Sequence, residues 1–380
     1  MVDAQRRPQI LEHLNKSLTV TIHATRWIPG TARFVAVGTY PRSTGCLQIY
    51  ELSEAELRAS AERERPDGFK CATLGASPSS SSQLATGSFS GRLQVWDLER
   101  GAAGAPLFDA QAHASIVNAA DGFGGRAVGY GPPEIATAGR DGAVRVWDVR
   151  QADAPVAAFE PADGDSVRDC WAVAIGNSFN DEERCVLAGY DNGDIKLFDL
   201  RANKARRRMT RAWRAHDAHA FAVVRWETNV KNGVCGLQFD RPDISMNKFT
   251  ASCLESQLHV FDARTQHPQH GFAGLTEKLA RGTTVWGAAH LPQNRDVLAA
   301  HTGGGEVALY RYRYPDQRRV KDQDGCEMGV AGSLEALSHA SLSSQPVNSF
   351  DWSPDRLGLF VCSAFDQCLR VGIVTKLEKI

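Results

Sequence analysis

The chain has 380 residues, 43% of them apolar, and its 43 Lys+Arg nearly cancel its 44 Asp+Glu. Such a balance leaves no general field that would draw the chain to nucleic acid or to acidic lipid, so the expected partners are proteins. The nine cysteines include no C-x-x-C pair and have no regular spacing to His, which argues against a disulfide frame or a zinc site and for reduced thiols.

The N-terminal stretch MVDAQRRPQILEHLNK has no long apolar core behind its charges, and no apolar run in the chain reaches the ~18 residues of a membrane-spanning helix. A location in the cytoplasm or nucleus is expected. Within this stretch PQILEHL, Pro8 to Leu14, is an isolated strand candidate whose partner must lie elsewhere in the chain.

From residue 45 onward one pattern recurs. GCLQIYEL (45–52), GRLQVWDL (91–98), GAVRVWDV (142–149), GDIKLFDL (193–200) and SQLHVFDA (256–263) alternate apolar and polar residues up to an aromatic–acid pair, and GEVALYRY (305–312) and QCLRVGIV (367–374) are weaker copies. The aromatic falls at Tyr50, Trp96, Trp147, Phe198, Phe261 and Tyr310, with Gly372 in the seventh place, so the steps are 46, 51, 51, 63, 49 and 62. A period near fifty with period-2 alternation inside each copy means one supersecondary unit repeated.

Each later copy follows a short small-residue strand and a turn, as in LATGSFSG, IATAGRDG, VLAGYDNG, FTASCLES, VLAAHTGG and VCSAFDQ. An apolar run, a Gly/Asp/Asn turn and an alternating strand make a hairpin. The repeats resemble the WD-repeat family, in which each copy supplies one four-stranded blade. The expected fold is therefore all-β, a single seven-bladed WD-repeat β-propeller over 1–380. A lone blade exposes two edges and an apolar face. Closure needs an outer strand for the last blade, and Pro8–Leu14 is the expected donor.

Asp141, Asp191 and Asp366 fall in the turn between second and third strands. A turn Asp ordinarily accepts backbone N–H bonds, and in WD repeats it often joins a His, a Ser/Thr and the Trp in a buried polar network. His113 stands where the family's Gly-His pair falls for the blade ending at Trp147. Gly139 occupies the place expected for the Ser/Thr, so the network should be incomplete and apolar packing should dominate.

Chemistry-bearing motifs are missing. The glycine-rich stretches GFGGRAVGYG (122–131) and HTGGGE (301–306) lack the lysine and the following helix of a phosphate cradle. No G-x-S-x-G, H-E-x-x-H or kinase signature is present. No enzyme, cofactor or metal site is expected.

Phase alignment puts Phe89, Arg140, Tyr190 and Phe365 just before the turn Asp position, and Asn118, Trp171, Trp286 and Asn348 at the start of first strands. These eight make the expected protein-binding surface, because aromatics and Arg on a rigid rim bury much area at small entropy cost. The other reading of the aromatics is filler between blades. Residues 202–224 form a basic insertion, with Arg206, Arg207, Arg208, Arg211 and Arg214, that reads as a solvated loop or as a contact for an acidic partner or RNA. The other long step contains an inter-blade connection at 312–346.

A closer likeness rests on GYDNGDIKLFDLR, KNGVCGLQFDRPDISMNK, FDARTQHP, HLPQNRDV, GCEMGVAGS and VTKLEKI. These strings are similar to the Monad family of WD-repeat proteins, over Pro8 to Ile380, and Lys204 to Val223 reads as an insertion relative to it. The resemblance implies a cytoplasmic, non-catalytic scaffold working with a co-chaperone complex of RuvB-like ATPases and prefoldin-like subunits, with dynein heavy chains as clients in the assembly of axonemal dyneins. A competing reading comes from W/F-D-x-R at Arg150, Arg201 and Arg264. In WD-repeat substrate receptors of cullin-4 ubiquitin ligases an Arg at this place meets the ligase adaptor, whereas its other role is a local ion pair.

Overall fold

The computed structural model describes residues 7–380 except 54–55, 78–81, 101–103, 125–130, 152–153, 162–165, 181, 201–223 and 280–281. Arg201 and nearly all of the basic insertion therefore lie outside the described residues, as does the middle of the glycine-rich stretch 122–131.

Seven four-stranded antiparallel sheets follow one another, each the blade that a repeat predicts, and together they are the seven blades of a WD-repeat β-propeller. Blade 1 comprises Thr21–Trp27, Arg33–Thr39, Gly45–Leu52 and Leu57–Arg65, and blade 2 Phe69–Thr73, Gln83–Ser88, Arg92–Asp97 and Phe108–Gln111. Blade 3 holds Val117–Phe123, Glu134–Gly139, Val144–Trp147 and Ala157–Phe159, and blade 4 Cys170–Gly176, Cys185–Tyr190, Asp194–Asp199 and Val224–Asn229. Blade 5 is Val234–Phe239, Lys248–Cys253, Gln257–His267 and Gly271–Lys278; blade 6 is Val285–Leu291, Asn294–Thr302, Glu306–Arg313 and Ser333–Ser341. Blade 7 takes Val347–Trp352, Leu359–Ala364 and Cys368–Thr375 from one end of the chain and Gln9–Ser17 from the other. The donor strand runs three residues past the expected Leu14, paired from Gln9 opposite Thr375 to Ser17 opposite Cys368 with one register shift between Glu12 and Leu14.

The connection 312–346 is not irregular. It carries a two-stranded hairpin, Arg319–Lys321 with Glu327–Gly329, and then the fourth strand of blade 6.

The chain divides into two compact units, residues 1–68 with 247–380, and residues 69–246. In the first, Phe34, Tyr50, Val361 and Val371 pack blade 1 on blade 7, and Leu309, Val347, Trp352 and Phe360 pack blade 6 on blade 7. In the second, Phe108 meets Trp147 edge-on at 6.1 Å between blades 2 and 3, and Phe159 stacks on Phe198 at 4.4 Å between blades 3 and 4. Aromatic pairs in these geometries add about 0.5–1.5 kcal/mol beyond their burial. The alternation of the sequence is thus the alternation of two blade faces, both of them covered.

Polar fasteners join the same blades. Ser349 Oγ accepts the Thr25 N–H at 2.9 Å, and Asp351 accepts the Trp27 N–H at 2.7 Å. Lys248, wholly buried, reaches Asp296 at 2.7 Å and Tyr314 Oη at 2.9 Å. In the other unit Arg184, also buried, pairs with Glu134 at 2.9 Å and lies 4.0 Å over the Phe123 ring. All nine cysteines are free thiols, and burial raises those of Cys46, Cys170 and Cys362. Among the described residues no helix is long and apolar enough to cross a membrane.

Candidate protein-binding site

A β-bulge recurs near the start of the first strand in six blades, at the third residue in blade 1 and the second in the others, where the register skips His23, Lys70, Asn118, Trp171, Trp286 and Asn348. A bulge leaves one residue out of the ladder and re-aims its side chain. These positions are the ones phase alignment picked at Asn118, Trp171, Trp286 and Asn348. Alignment missed His23 and Lys70, whose first strands, TIHATRW and FKCAT, have little in common to align on.

In the first unit Phe365, 37% exposed, stands between two bulge residues: Trp286 meets it edge-on at 6.2 Å and His23 at 6.5 Å. The indole Nε1–H of Trp286 is buried and has no acceptor among the described residues. Asn348 does not face outward. Its amide donates to the Ile22 carbonyl at 2.6 Å and accepts from Ser363 Oγ at 3.1 Å, fastening blade 7 to blade 1.

In the second unit Arg140 is well exposed and lies 3.8 Å from Asp169, whose other bond comes from Asn118 at 2.9 Å. Asn118 also donates to the Cys170 carbonyl at 2.9 Å, so it too is a fastener, here between blades 3 and 4. Phe89 is 38% exposed. Tyr190 is buried, with the Lys196 ammonium 5.6 Å from its ring, and burial holds its hydroxyl well above the ordinary range. Trp171 is half-buried over Gly233, where a Cβ would stand 2.6 Å from its ring. The rim thus presents Phe365, Trp286, Arg140 and Phe89, while Tyr190 and the two Asn hold blades together.

The turn aspartates differ from the expectation. Blade 3 has the complete network: Trp147 Nε1–H donates to Thr137 Oγ1 at 3.1 Å, Thr137 meets His113 Nε2 at 2.8 Å, and His113 Nδ1 meets Asp141 at 2.8 Å. The Ser/Thr position is Thr137 and not Gly139. Residues two apart share a strand face, so an alignment one pleat off still looks correct. Gly139 has its own role, because a Cβ there would lie 2.1 Å from His113 Nδ1. Burial alone would raise the Asp141 carboxyl, but bonds from His113, the Ala114 N–H and Arg145 hold it well below the usual range. In blade 7 Asp366 binds Arg370 and Ser343 instead of a His. In blade 4 one oxygen of Asp191 is buried without a hydrogen-bond partner among the described residues.

Arg150 folds back on its own Asp148, with Nη2 at 2.6 Å and Nε at 2.9 Å. In blade 5 the matching carboxylate, Asp262, is taken by Arg318 from the long connection, Nε at 3.0 Å, and Arg264 reaches it only through its backbone N–H.

One grouping has metal-ligand chemistry among the described residues: His267, Asp322 and Cys326. Two of its three side chains, His267 and Asp322, are already engaged with each other and with backbone N–H groups. His267 Nδ1 accepts the N–H groups of Gln269 and His270, so Nε2 carries the proton and donates to Asp322 at 2.8 Å. The other Asp322 oxygen accepts the Asp324 and Cys326 N–H groups. The arrangement pins the extra hairpin to the turn of blade 5.

No protein-family model matches the chain. It is 64% identical over 379 residues to dynein axonemal assembly factor 10 of Chlamydomonas reinhardtii, with 100% of each chain covered. The Homo sapiens protein of that name is 50% identical, also over 379 residues and 100% of both chains, and the Xenopus laevis one 51% over 374 residues and 98% of both.

Proposed function

The chain belongs to the dynein axonemal assembly factor 10 family, and on that premise we propose that it takes part in the assembly of axonemal dyneins as a non-catalytic protein-interaction scaffold. It acts in the cytoplasm with a co-chaperone complex of RuvB-like ATPases and prefoldin-like subunits, and dynein heavy chains are its clients. The observation that carries this reading is the 64% identity along the whole of both chains.

The geometry supports a scaffold. Blades fastened by buried aromatics and ion pairs present Phe365 with Trp286 in one unit and Arg140 and Phe89 in the other, anchors of the kind that dominate protein interfaces. A chain with several anchors can hold an adaptor and a client together and gain avidity from simultaneous contact. No cofactor enters this role.

The test is affinity purification of the tagged protein from a ciliated cell with quantitative mass spectrometry, comparing wild type with Arg150→Ala/Arg201→Ala. RuvB-like ATPases, prefoldin-like subunits and dynein heavy chains held by both forms are the expected result. Recovery of a cullin-4 ligase and its adaptor, lost only from the double variant, would replace this reading with a substrate receptor. The ion pair of Arg150 with Asp148 speaks for the local role of that arginine.

A further inference from the structure

The chain as a whole is charge-balanced, but one groove of about 440 Å³ in the first unit is not. Its lining has four cationic side chains, Arg7, Arg311, Arg313 and Lys379, against two carboxylates, the Glu335 side chain and the chain terminus at Ile380. Arg311 is the register partner of Glu335, yet that carboxylate is bound by Arg313, with Nε and Nη2 both at 2.7 Å. Arg7, Arg311 and Lys379 are left with no acidic partner among the described residues. Between them the floor is apolar, formed by Pro8, Leu337 and Ile380.

Three cations without an ion pair face one terminal carboxylate and leave the groove net positive, an arrangement that an anionic occupant relieves. We propose that this groove binds an acidic peptide segment, with carboxylates on Arg7, Arg311 and Lys379 and one apolar side chain on Leu337. Guanidinium forks match carboxylates bidentately, and an apolar floor suits an aliphatic residue between acids. A nucleic-acid strand fits less well, because no aromatic ring lines the groove for a base to stack on. The groove borders Ser333–Ser341, the edge strand of blade 6, whose outer backbone groups can also pair with an extended segment. The inference rests on this geometry and not on the role in dynein assembly.

The experiment is fluorescence anisotropy of the full-length chain with a fluorescein-labelled peptide, Glu-Asp-Leu-Asp-Glu, at low and at high salt. Saturable binding that weakens with salt is expected, with a loss of at least about tenfold in Arg311→Glu/Lys379→Glu and in Arg7→Glu, and no change in Arg58→Glu on blade 1. Thermal melts matching wild type establish that each variant is folded, and Arg7→Glu, ahead of the first strand, serves if the double variant is not. No binding of the acidic peptide, equal binding of its Gln-Asn-Leu-Asn-Gln counterpart, or equal binding by the charge-reversed chains overturns the proposal. Displacement by inorganic phosphate at equal charge would make it a simple anion site, and tighter binding of a single-stranded oligonucleotide would make it a nucleic-acid site; either outcome also overturns it.

Discussion

The ring N–H of His301 at Nδ1 donates to the Val347 carbonyl at 2.8 Å, tying blade 6 to blade 7 inside the first unit. Burial, with Arg26 near by, outweighs that bond and brings the ring down to about 4 from its ordinary 6.5. The native state thus holds His301 neutral, while the unfolded chain takes up a proton below about 6.5. The stability this represents is present above that pH and is lost as pH falls toward 4, on the order of 3 kcal/mol at 1.36 kcal/mol per unit. Urea unfolding at neutral and at mildly acid pH should show this loss, and His301→Gln, which keeps an N–H donor, should remove it. An unchanged pH slope in the variant would rule His301 out.

Thr137 receives the Trp147 indole and meets His113. Thr137→Val keeps the shape and strands two buried polar groups, which should cost about 2–4 kcal/mol. Adding Trp147→Phe removes one of them, so the double variant should lose less than the sum of the two single changes. Additive losses in denaturant titrations would mean the network is not coupled.

Lys248 has no exposed side-chain surface and depends on Asp296. Asp296→Ala removes the carboxylate that faces this buried ammonium and should cost about 3–5 kcal/mol, whereas Lys248→Met with Asp296→Leu should return most of the loss. Calorimetric melting of the three proteins distinguishes these outcomes. Burial alone would raise the Asp296 carboxyl, but Lys248, the Tyr314 hydroxyl and the Arg295 charge together hold it below the ordinary carboxylate range.

Phe365→Ala and Trp286→Ala touch an edge-on pair at the rim of the first unit. Each should lower recovery of partner proteins in pull-downs several-fold, with a melting temperature close to wild type for Phe365→Ala. Full recovery with both substitutions would leave these aromatics as filler between blades.

The blades were legible because six of the seven third strands alternate up to an aromatic, and the donor strand because the last copy lacked a fourth neighbour. What escaped did so for physical reasons. Gly139 and Thr137 share a face, so the pattern alone could not separate them. The fastening roles of Asn118 and Asn348 depend on which carbonyl lies opposite across a blade seam, and Lys248–Asp296 joins residues from different blades. The hairpin at Arg319–Lys321 and Glu327–Gly329 is held by His267 with Asp322, a pairing 55 positions apart that no local signal marks.

Gln9–Ser17 finds its partner in Cys368–Thr375, and Ser17 meets Cys368 across 351 positions. At roughly 5–20 residues added per second, the ribosome releases the first of these strands about 20–70 s before the second exists. Throughout that interval a stretch built for pairing is without its mate, and blade 1 is without the neighbour that covers Phe34 and Tyr50. Order of synthesis and order of assembly therefore run in opposite directions in this unit: its opening segment is the first part made and among the last to be seated.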